Sequence, residues 1–242
     1  RGERDCDVLC EAGGDGAQWL GPPGARSSCE LVRAISADTP PDPPKSAAMI
    51  DFASIEPINT ERLILRGWRK GDLDAFATLN ADPEVMRHFP ARLDRATSDA
   101  AVERQQESLR REGRGLLAVE TRGNGKFIGF IGLIRVNFGG PLEGRPEIGW
   151  RLARSSWGNG YASEGARACL AHAFQALGDE EVVALAPQSN AGSLAVMRKI
   201  GMQRDPKDDF DHPRLTEYPH LQPCQLYRIT RARWNELQAT NV

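Results

Sequence analysis

Glu147-Ile148-Gly149-Trp150-Arg151-Leu152, followed by Ser155-Ser156-Trp157-Gly158-Asn159-Gly160-Tyr161-Ala162-Ser163-Glu164, is the stretch that decides the fold of this 242-residue chain. A strand runs through a glycine-bearing turn straight into a helix. Such a turn aims several backbone N–H groups at one point, with the positive end of the helix dipole behind them, and a pyrophosphate fits there. Gly158 and Gly160 let the backbone approach oxygen atoms with no Cβ in the way. Two other phosphate-binding patterns fail. The dinucleotide pattern G-x-G-x-x-G meets Ser163 at its third glycine, and no acidic residue ends a second parallel strand about 20 residues on. No Gly-Lys-Ser/Thr follows to make a P-loop. Alone, a Gly-x-Gly ahead of a helix fits a plain loop-to-helix turn equally well.

Outward from this turn the pattern is regular. Upstream, 116–120 and 127–135 are apolar runs joined by Arg122-Gly123-Asn124-Gly125, whose Asn-Gly pair predicts a tight hairpin. With 147–152 they make an antiparallel meander. Residues 62–66 read as a first strand. Asp72 is placed to cap a helix through Leu73, Phe76, Ala77 and Leu79. A shorter helix starts at Asp82-Pro83 and ends near His88-Phe89-Pro90, and a polar helix covers about 97–112. Downstream, Ala162, Ala166, Leu170, Ala173, Phe174 and Leu177 share one helix face. A strand at 182–185, a short helix at 190–200 stopped by Gly201, and a last strand at 225–230 follow. This order predicts a mixed α/β sheet in one domain.

Composition excludes several functions. Hydrophobic residues at 40% and charged residues at 26% suit a soluble globular protein. No run approaches the roughly 18 apolar residues of a membrane-spanning helix. A net charge of -2 provides no global basic field for nucleic-acid phosphates. Five cysteines, at 6, 10, 29, 169 and 224, argue against a disulfide framework or a four-cysteine zinc site. Four histidines, at 88, 172, 212 and 220, argue against a His-rich metal cluster, so no metal is expected and a reducing cytoplasm is the simplest setting. The first 48 residues stand apart: they hold six of the 16 prolines and five basic against eight acidic residues. With no sustained apolar period they cannot offset their ordering entropy, and no apolar core of a signal peptide follows the charged start. Residues 1–48 therefore read as a disordered or non-native N-terminal extension, Met49 as the natural start, and 49–242 as the domain.

In this setting the segment resembles motif A of the GNAT superfamily of acetyl-CoA-dependent N-acetyltransferases, Gln/Arg-x-x-Gly-x-Gly/Ala, as Trp157-x-x-Gly160-x-Ala162. Trp157 in the Gln/Arg place is a departure shared with the branch that acetylates ribosomal-protein N-termini. Asn190-x-x-Ser193-x-x-Val196-Met197-x-Lys199-x-Gly201-Met202 resembles the family's motif B. Thr60-Glu61-Arg62-Leu63-Ile64-Leu65-Arg66 and Asp82-Pro83-Glu84-Val85-Met86 resemble the same branch, so the likeness spans about 58–234 in order. It implies the GNAT acyl-CoA N-acyltransferase fold, an α/β domain whose mixed, mostly antiparallel sheet is splayed at the centre and flanked by helices. It also implies acetyl-CoA as co-substrate. The pantetheine arm would lie along the strand of Trp150, Arg151 and Leu152, with Trp157 in the cofactor-binding set. The pyrophosphate would sit on the amides of Gly158, Asn159, Gly160, Tyr161 and Ala162, and Asn190 would reach the pantetheine.

The transfer needs a neutral amine, a thioester held against it and a proton for the departing thiolate. An α-amino group, with a pKa of about 7.7–8.0, needs less help than a lysine at about 10.4. Glu147 matches the glutamate that opens the central strand in the ribosomal branch, which makes it the candidate base through a water. The plain alternative is a strand-edge carboxylate paired with Arg145 or Arg151. Many family members place a general-acid tyrosine where this chain has Met197, which cannot donate. Ser193, one turn earlier, is the candidate acid, or else a hydroxyl bonding backbone. Asn190 can cap its helix while contacting the cofactor. His88 and Tyr227 are candidates for the acceptor pocket, against a helix-end histidine and a half-buried strand tyrosine.

Glu164 complements the helix dipole, and Cys169 and Cys224 read as core or semi-buried thiols. Arg104, Arg110, Arg111 and Arg114, interleaved with Glu103, Glu107 and Glu112, read as a solvated helix face. The expected partner is an amine acceptor, either a protein N-terminus or a small amine such as a polyamine, an amino acid or an aminoglycoside. No nucleic acid or membrane is expected, and the chain is a monomer or homodimer. The competing reading is a degenerate domain that binds CoA as a sensor or interaction module. Met197 favours it; the intact glycine turn and Glu147 oppose it.

Overall fold

A computed structural model of the chain describes residues 55–240. The extension at 1–48 and the start at Met49 lie outside the described residues. Among the described residues eight strands form one sheet in the order β1-β2-β3-β4-β5-β6-β8-β7. They are β1 (Ile58–Asn59), β2 (Leu63–Arg66), β3 (Gly115–Thr121), β4 (Phe127–Arg135), β5 (Pro146–Leu152), β6 (Glu181–Pro187), β7 (Phe210–Asp211) and β8 (Pro223–Thr230). The helices are α1 (Leu73–Ala81), α2 (Pro83–Met86), α3 (Arg95–Glu112), α4 (Tyr161–Gln175), α5 (Ala191–Lys199) and α6 (Arg231–Thr240).

β3 and β4 are apolar on both faces because a helical layer covers each side. On one face Leu117, Ile131, Leu133, Ile148 and Leu152 pack against Ala166, Leu170, Ala173 and Phe174 of α4. On the other, Leu116, Ala118 and Phe130 meet Trp68, Phe76 and Leu79 around α1 and Val102 of α3. The meander expected of β3, β4 and β5 is present, with antiparallel ladders throughout.

The β5–α4–β6 crossover brings in the sheet's one parallel pair among the described residues, and that pairing is a single register contact, Glu147 opposite Val183. β6 then pairs with β8 along its whole length. Past Glu147 the two half-sheets part, so among the described residues Gly149–Leu152 have β4 on one side and no strand on the other. The sheet is mixed, mostly antiparallel and splayed at its centre.

Several local expectations are corrected. Asp72 does sit at the start of α1, but its carboxylate does not cap that helix; it points back and closes a capping box on the preceding 3-10 turn. It accepts from Arg66 Nη1 and Nη2 at 2.8 and 3.0 Å and from the Arg69 amide at 2.7 Å, while Arg66 Nε reaches Glu120 at 2.6 Å. The β3–β4 hairpin is wider than a two-residue turn: Thr121 N–H reaches Lys126 C=O at 3.0 Å across residues 122–125. Asn124 works through its side chain, accepting from Thr121 Oγ1 and Lys126 N.

The basic stretch is not one solvated face. Arg110 faces Glu107 at 2.7 Å, but Arg104 is half-buried and Arg114 is buried in a two-bond pair with Asp179, both at 2.7 Å. Three elements carry no readable signal: β1 and β7 are two residues each, and α6 buries only Trp234, beside Phe174.

Candidate active site

The parting of β5 from β6 opens a cleft of about 420 Å³. Trp150, Arg151 and Leu152 form one wall, the 156–163 turn forms the floor, and Asn190, Ser193 and Val196 of the α5 region face them. Val85, His88 and Phe89, in and after α2, close the remaining side.

The turn owes its shape to its glycines. Gly158 and Gly160 have φ of 76° and 77°, a left-handed conformation that side-chain-bearing residues rarely hold. Gly160 occupies the N-cap of α4 and offers no side-chain acceptor, so first-turn N–H groups of the helix stay available. A Cβ at Gly160 would lie 4.0 Å from Lys199 Nζ and 3.5 Å from Arg62 Nη2. Lys199 lines the cleft, so a cation stands beside the positive end of the helix.

Bonds from outside hold the turn. Trp157 Nε1 donates to Leu152 C=O at 2.8 Å, and the ring stays 42% exposed at the cleft. Glu164 does more than complement the dipole. Its carboxylate accepts from Thr60 Oγ1 at 2.6 Å, Arg62 N at 2.8 Å and Arg62 Nε at 2.6 Å. Burial works against its charge, but the bonds from Thr60 and Arg62 hold its carboxyl below the usual range. Arg62 also donates to the Asn159 carbonyl at 3.0 Å, tying the start of β2 to the turn.

On α5, Asn190 Oδ1 caps the helix by accepting from Ser193 N at 3.1 Å, and both residues line the cleft. The Ser193 hydroxyl makes no hydrogen bond among the described residues, contrary to the backbone-bonding alternative. Met197 is buried in the core. His88 lines the cleft with Nε2 accepting from Arg87 Nε at 3.0 Å and Nδ1 3.4 Å from Ser189 Oγ. Burial and then the Arg87 charge lower its pKa, which favours the neutral ring.

Arg151 turns its side chain to the α1 face. Nη1 donates to Asn80 Oδ1 at 2.6 Å, and the guanidinium lies 4.0 Å from the centre of the Phe89 ring and 5.2 Å from that of Phe130. Burial pushes it down to about 9. Glu147 lies on the same face of β5, outside the cleft lining. Neither expected ion pair forms: Arg145 is taken by Glu181 at 3.2 Å and Arg151 by Asn80. With no cation beside it among the described residues, burial raises the Glu147 carboxyl to about 7. Nearby Cys224 is a buried thiol, pushed up to about 12 by burial first and then by Glu147, Asp211 and Asp209.

Residues 62–203 match the family model described as an acetyltransferase (GNAT) domain. The chain belongs to the GNAT acetyltransferase family. It is 34% identical over 146 residues to the uncharacterized protein YkkB of Bacillus subtilis, which covers 59% of this chain and 83% of that protein. An acetyltransferase structure from Agrobacterium tumefaciens is 28% identical, covers 76% of this chain and 99% of its own, and superposes with a TM-score of 0.60. RimJ of Mycobacterium smegmatis, solved in complex with CoA-disulfide, shares the fold at 20% identity, covering 74% and 89%, with a TM-score of 0.58. The GNAT chain is thus an N-acetyltransferase, an enzyme that transfers acetyl to amines.

Set in the GNAT fold, the residues read from the sequence fall into two groups. Trp150, Arg151, Leu152, Trp157, Gly158, Gly160, Tyr161, Ala162, Asn190, Ser193 and His88 line one cleft. Asn159, Glu147 and Tyr227 do not. The Asn159 side chain and carbonyl are committed to the turn itself, Nδ2 donating to Trp157 C=O and the carbonyl held by Arg62. Tyr227 is a correction: it is buried in the core on the α4–α5 face, and Arg198 donates to its hydroxyl at 3.3 Å. Its strand register puts it on the face opposite Glu147. Sequence pattern alone gives no role to Arg62, Phe89 or Lys199, although Arg62 and Lys199 lie inside the segments that resemble the family. Among the described residues no group of three or more His, Cys, Asp or Glu could hold a metal ion, and no helix is long and apolar enough to cross a membrane.

Proposed function

We propose that the enzyme moves acetyl from acetyl-CoA to a primary amine, a protein N-terminus or a small amine, by direct attack in a ternary complex. One observation carries this reading: the unpaired β5 edge, the left-handed glycine turn and the uncapped start of α4 all meet in one cleft. An extended pantetheine arm suits a strand edge that lacks a partner, as peptides suit open sheet edges. A pyrophosphate suits the turn, where Lys199 adds a charge to the helix amides.

In the transfer the amine lone pair attacks the thioester carbonyl carbon, forming the C–N bond. The tetrahedral intermediate collapses with cleavage of the C–S bond. The nitrogen gives up a proton and the thiolate takes one. Glu147, with its carboxyl near 7, suits the first proton step through a water. The unbonded Ser193 hydroxyl suits the second. The sensor reading rests on Met197, which is buried and has no proton to give.

Release of free thiol from acetyl-CoA across an amine library near pH 8 separates the two. We expect catalytic release with at least one amine class. Tight acetyl-CoA binding with no release above the hydrolysis background, whatever the amine, would leave the sensor reading.

A further inference from the structure

We propose that Arg151 receives a carboxylate of the acceptor, so that the amine acetylated here belongs to a carboxylate-bearing molecule. The inference rests on the N-acetyltransferase reading above and narrows its substrate class. Among the cleft-lining residues the one carboxylate, Glu84, lies 3.6 Å from Arg87 and is matched by it. Lys199 belongs to the turn side, where the cofactor phosphates would sit. Arg151 is the remaining cation, and no ion pair to it is present among the described residues: one N–H group goes to the neutral amide of Asn80, the Phe89 and Phe130 rings lie 4.0 and 5.2 Å from the group, and Nε is buried with no acceptor among the described residues. Burying a cation against neutral partners is unfavourable unless a counter-charge arrives. Stacking on Phe89 fixes the guanidinium plane, which suits recognition of a planar carboxylate.

The strand sets the distance. Glu147, Gly149 and Arg151 share one face of β5, opposite Ile134, Gly132 and Phe130 of β4. Between the two charged residues neither β4 nor β5 carries a side chain on this face, and among the described residues only Leu116, leaning over from β3, comes within van der Waals reach of Gly149. Four residues of strand separate their Cα atoms by about 13 Å, a span that the two side chains and one water shorten to small-molecule dimensions. An amine near Glu147 and a carboxylate at Arg151 fit this arrangement. A polycation would bring positive charge to Arg151 and is disfavoured.

The test uses matched acceptors that differ only in charge: free amino acids of several side chains against their α-carboxamides, with spermidine and amidated peptides with N-terminal Asp or Asn as further arms. Each is measured for turnover with acetyl-CoA and, by calorimetry, for binding to the full chain loaded with CoA. We expect an acid-to-amide ratio of at least tenfold in kcat/KM in the wild-type protein, collapsing to under threefold in Arg151→Gln. A preference seen only between the Asp and Asn peptides would place the carboxylate on a side chain of a peptide acceptor and still support the inference. Equal use of acid and amide by the wild type, or a variant loss shared equally by both, would overturn it. The wild-type comparison needs no variant to fold. Should no amine release thiol, the proposed function fails, and the calorimetric ratio alone then supports or overturns the carboxylate site.

Discussion

Glu147 is a carboxylate left near neutrality by its neighbours. The two nearest arginines in sequence, Arg145 and Arg151, are engaged elsewhere, so burial acts on it unopposed and its carboxyl rises to about 7. As a base it works only when ionised, so wild-type turnover should climb with pH through about 7 and then level off. Glu147→Gln keeps the shape and removes the base. Turnover near pH 7 should fall by at least about 10²-fold, and the deficit should narrow towards the acceptor amine's own pKa, near 8 for an α-amine. Parallel pH–rate profiles less than threefold apart would make Glu147 a structural residue. The same shift has a stability signature. The folded carboxyl holds its proton more tightly than the unfolded one, whose ordinary pKa is 4.5, so this contribution is full below 4.5 and is lost as pH rises through about 7. The melting temperature of Glu147→Gln relative to wild type should therefore improve between pH 5 and pH 8. Of this residue the sequence showed the identity, and the family resemblance implied the proposed base role. Its isolation was hidden, because the groups that occupy Arg145 and Arg151 come from Glu181 and Asn80, far along the chain.

Local patterns made the elements around the site legible. A strand, a Gly-x-Gly turn and an amphipathic helix each announce themselves within a few residues, and β5, the turn and α4 lie where that reading puts them. Asn190 capping α5 was legible for the same reason. What failed was tertiary: β7 is too short to show a period, α6 buries one side chain, and Tyr227 was read without knowing which face β8 turns to the cleft. The turn makes its own prediction. Gly160→Val adds a branched side chain at φ 77° beside Lys199, where the phosphates would approach, and acetyl-CoA affinity should drop at least tenfold, about 1.4 kcal/mol. Gly178→Val is the control: its φ is 75° with open space around the added Cβ, away from the cleft lining. It should lower the melting temperature through backbone strain and leave affinity intact. If both variants bind alike by calorimetry, the cofactor does not sit at the turn.

For the whole molecule, the N-terminal half is clamped by a buried charge cluster and the sheet is nearly divided in two. Arg66 bridges Asp72 and Glu120, joining β2, the start of α1 and β3, with side chains only 6%, 6% and 11% exposed. Arg66→Met would leave the two buried carboxylates to Arg69 alone, whose exposed guanidinium reaches Glu120 at 3.2 Å and whose amide reaches Asp72 at 2.7 Å, at a cost of about 3–5 kcal/mol. At roughly 2–4 °C per kcal/mol for a domain of this size, melting should fall by about 10 °C. Arg62→Met, which breaks a pair whose arginine is 45% exposed, should cost about 1 kcal/mol or less. Similar losses for both by thermal melts would mean the buried cluster is not the stronger clamp. The central division has another consequence. Most sheets keep their unpaired backbone at the rim, where it invites other chains to add on and aggregate, and they blunt it there with charge or short strands. This protein carries such an edge in its interior, at Gly149–Leu152, walled by the turn and α5. Here the neighbouring turn and helix, rather than charge or a short strand, guard the open backbone against a second sheet.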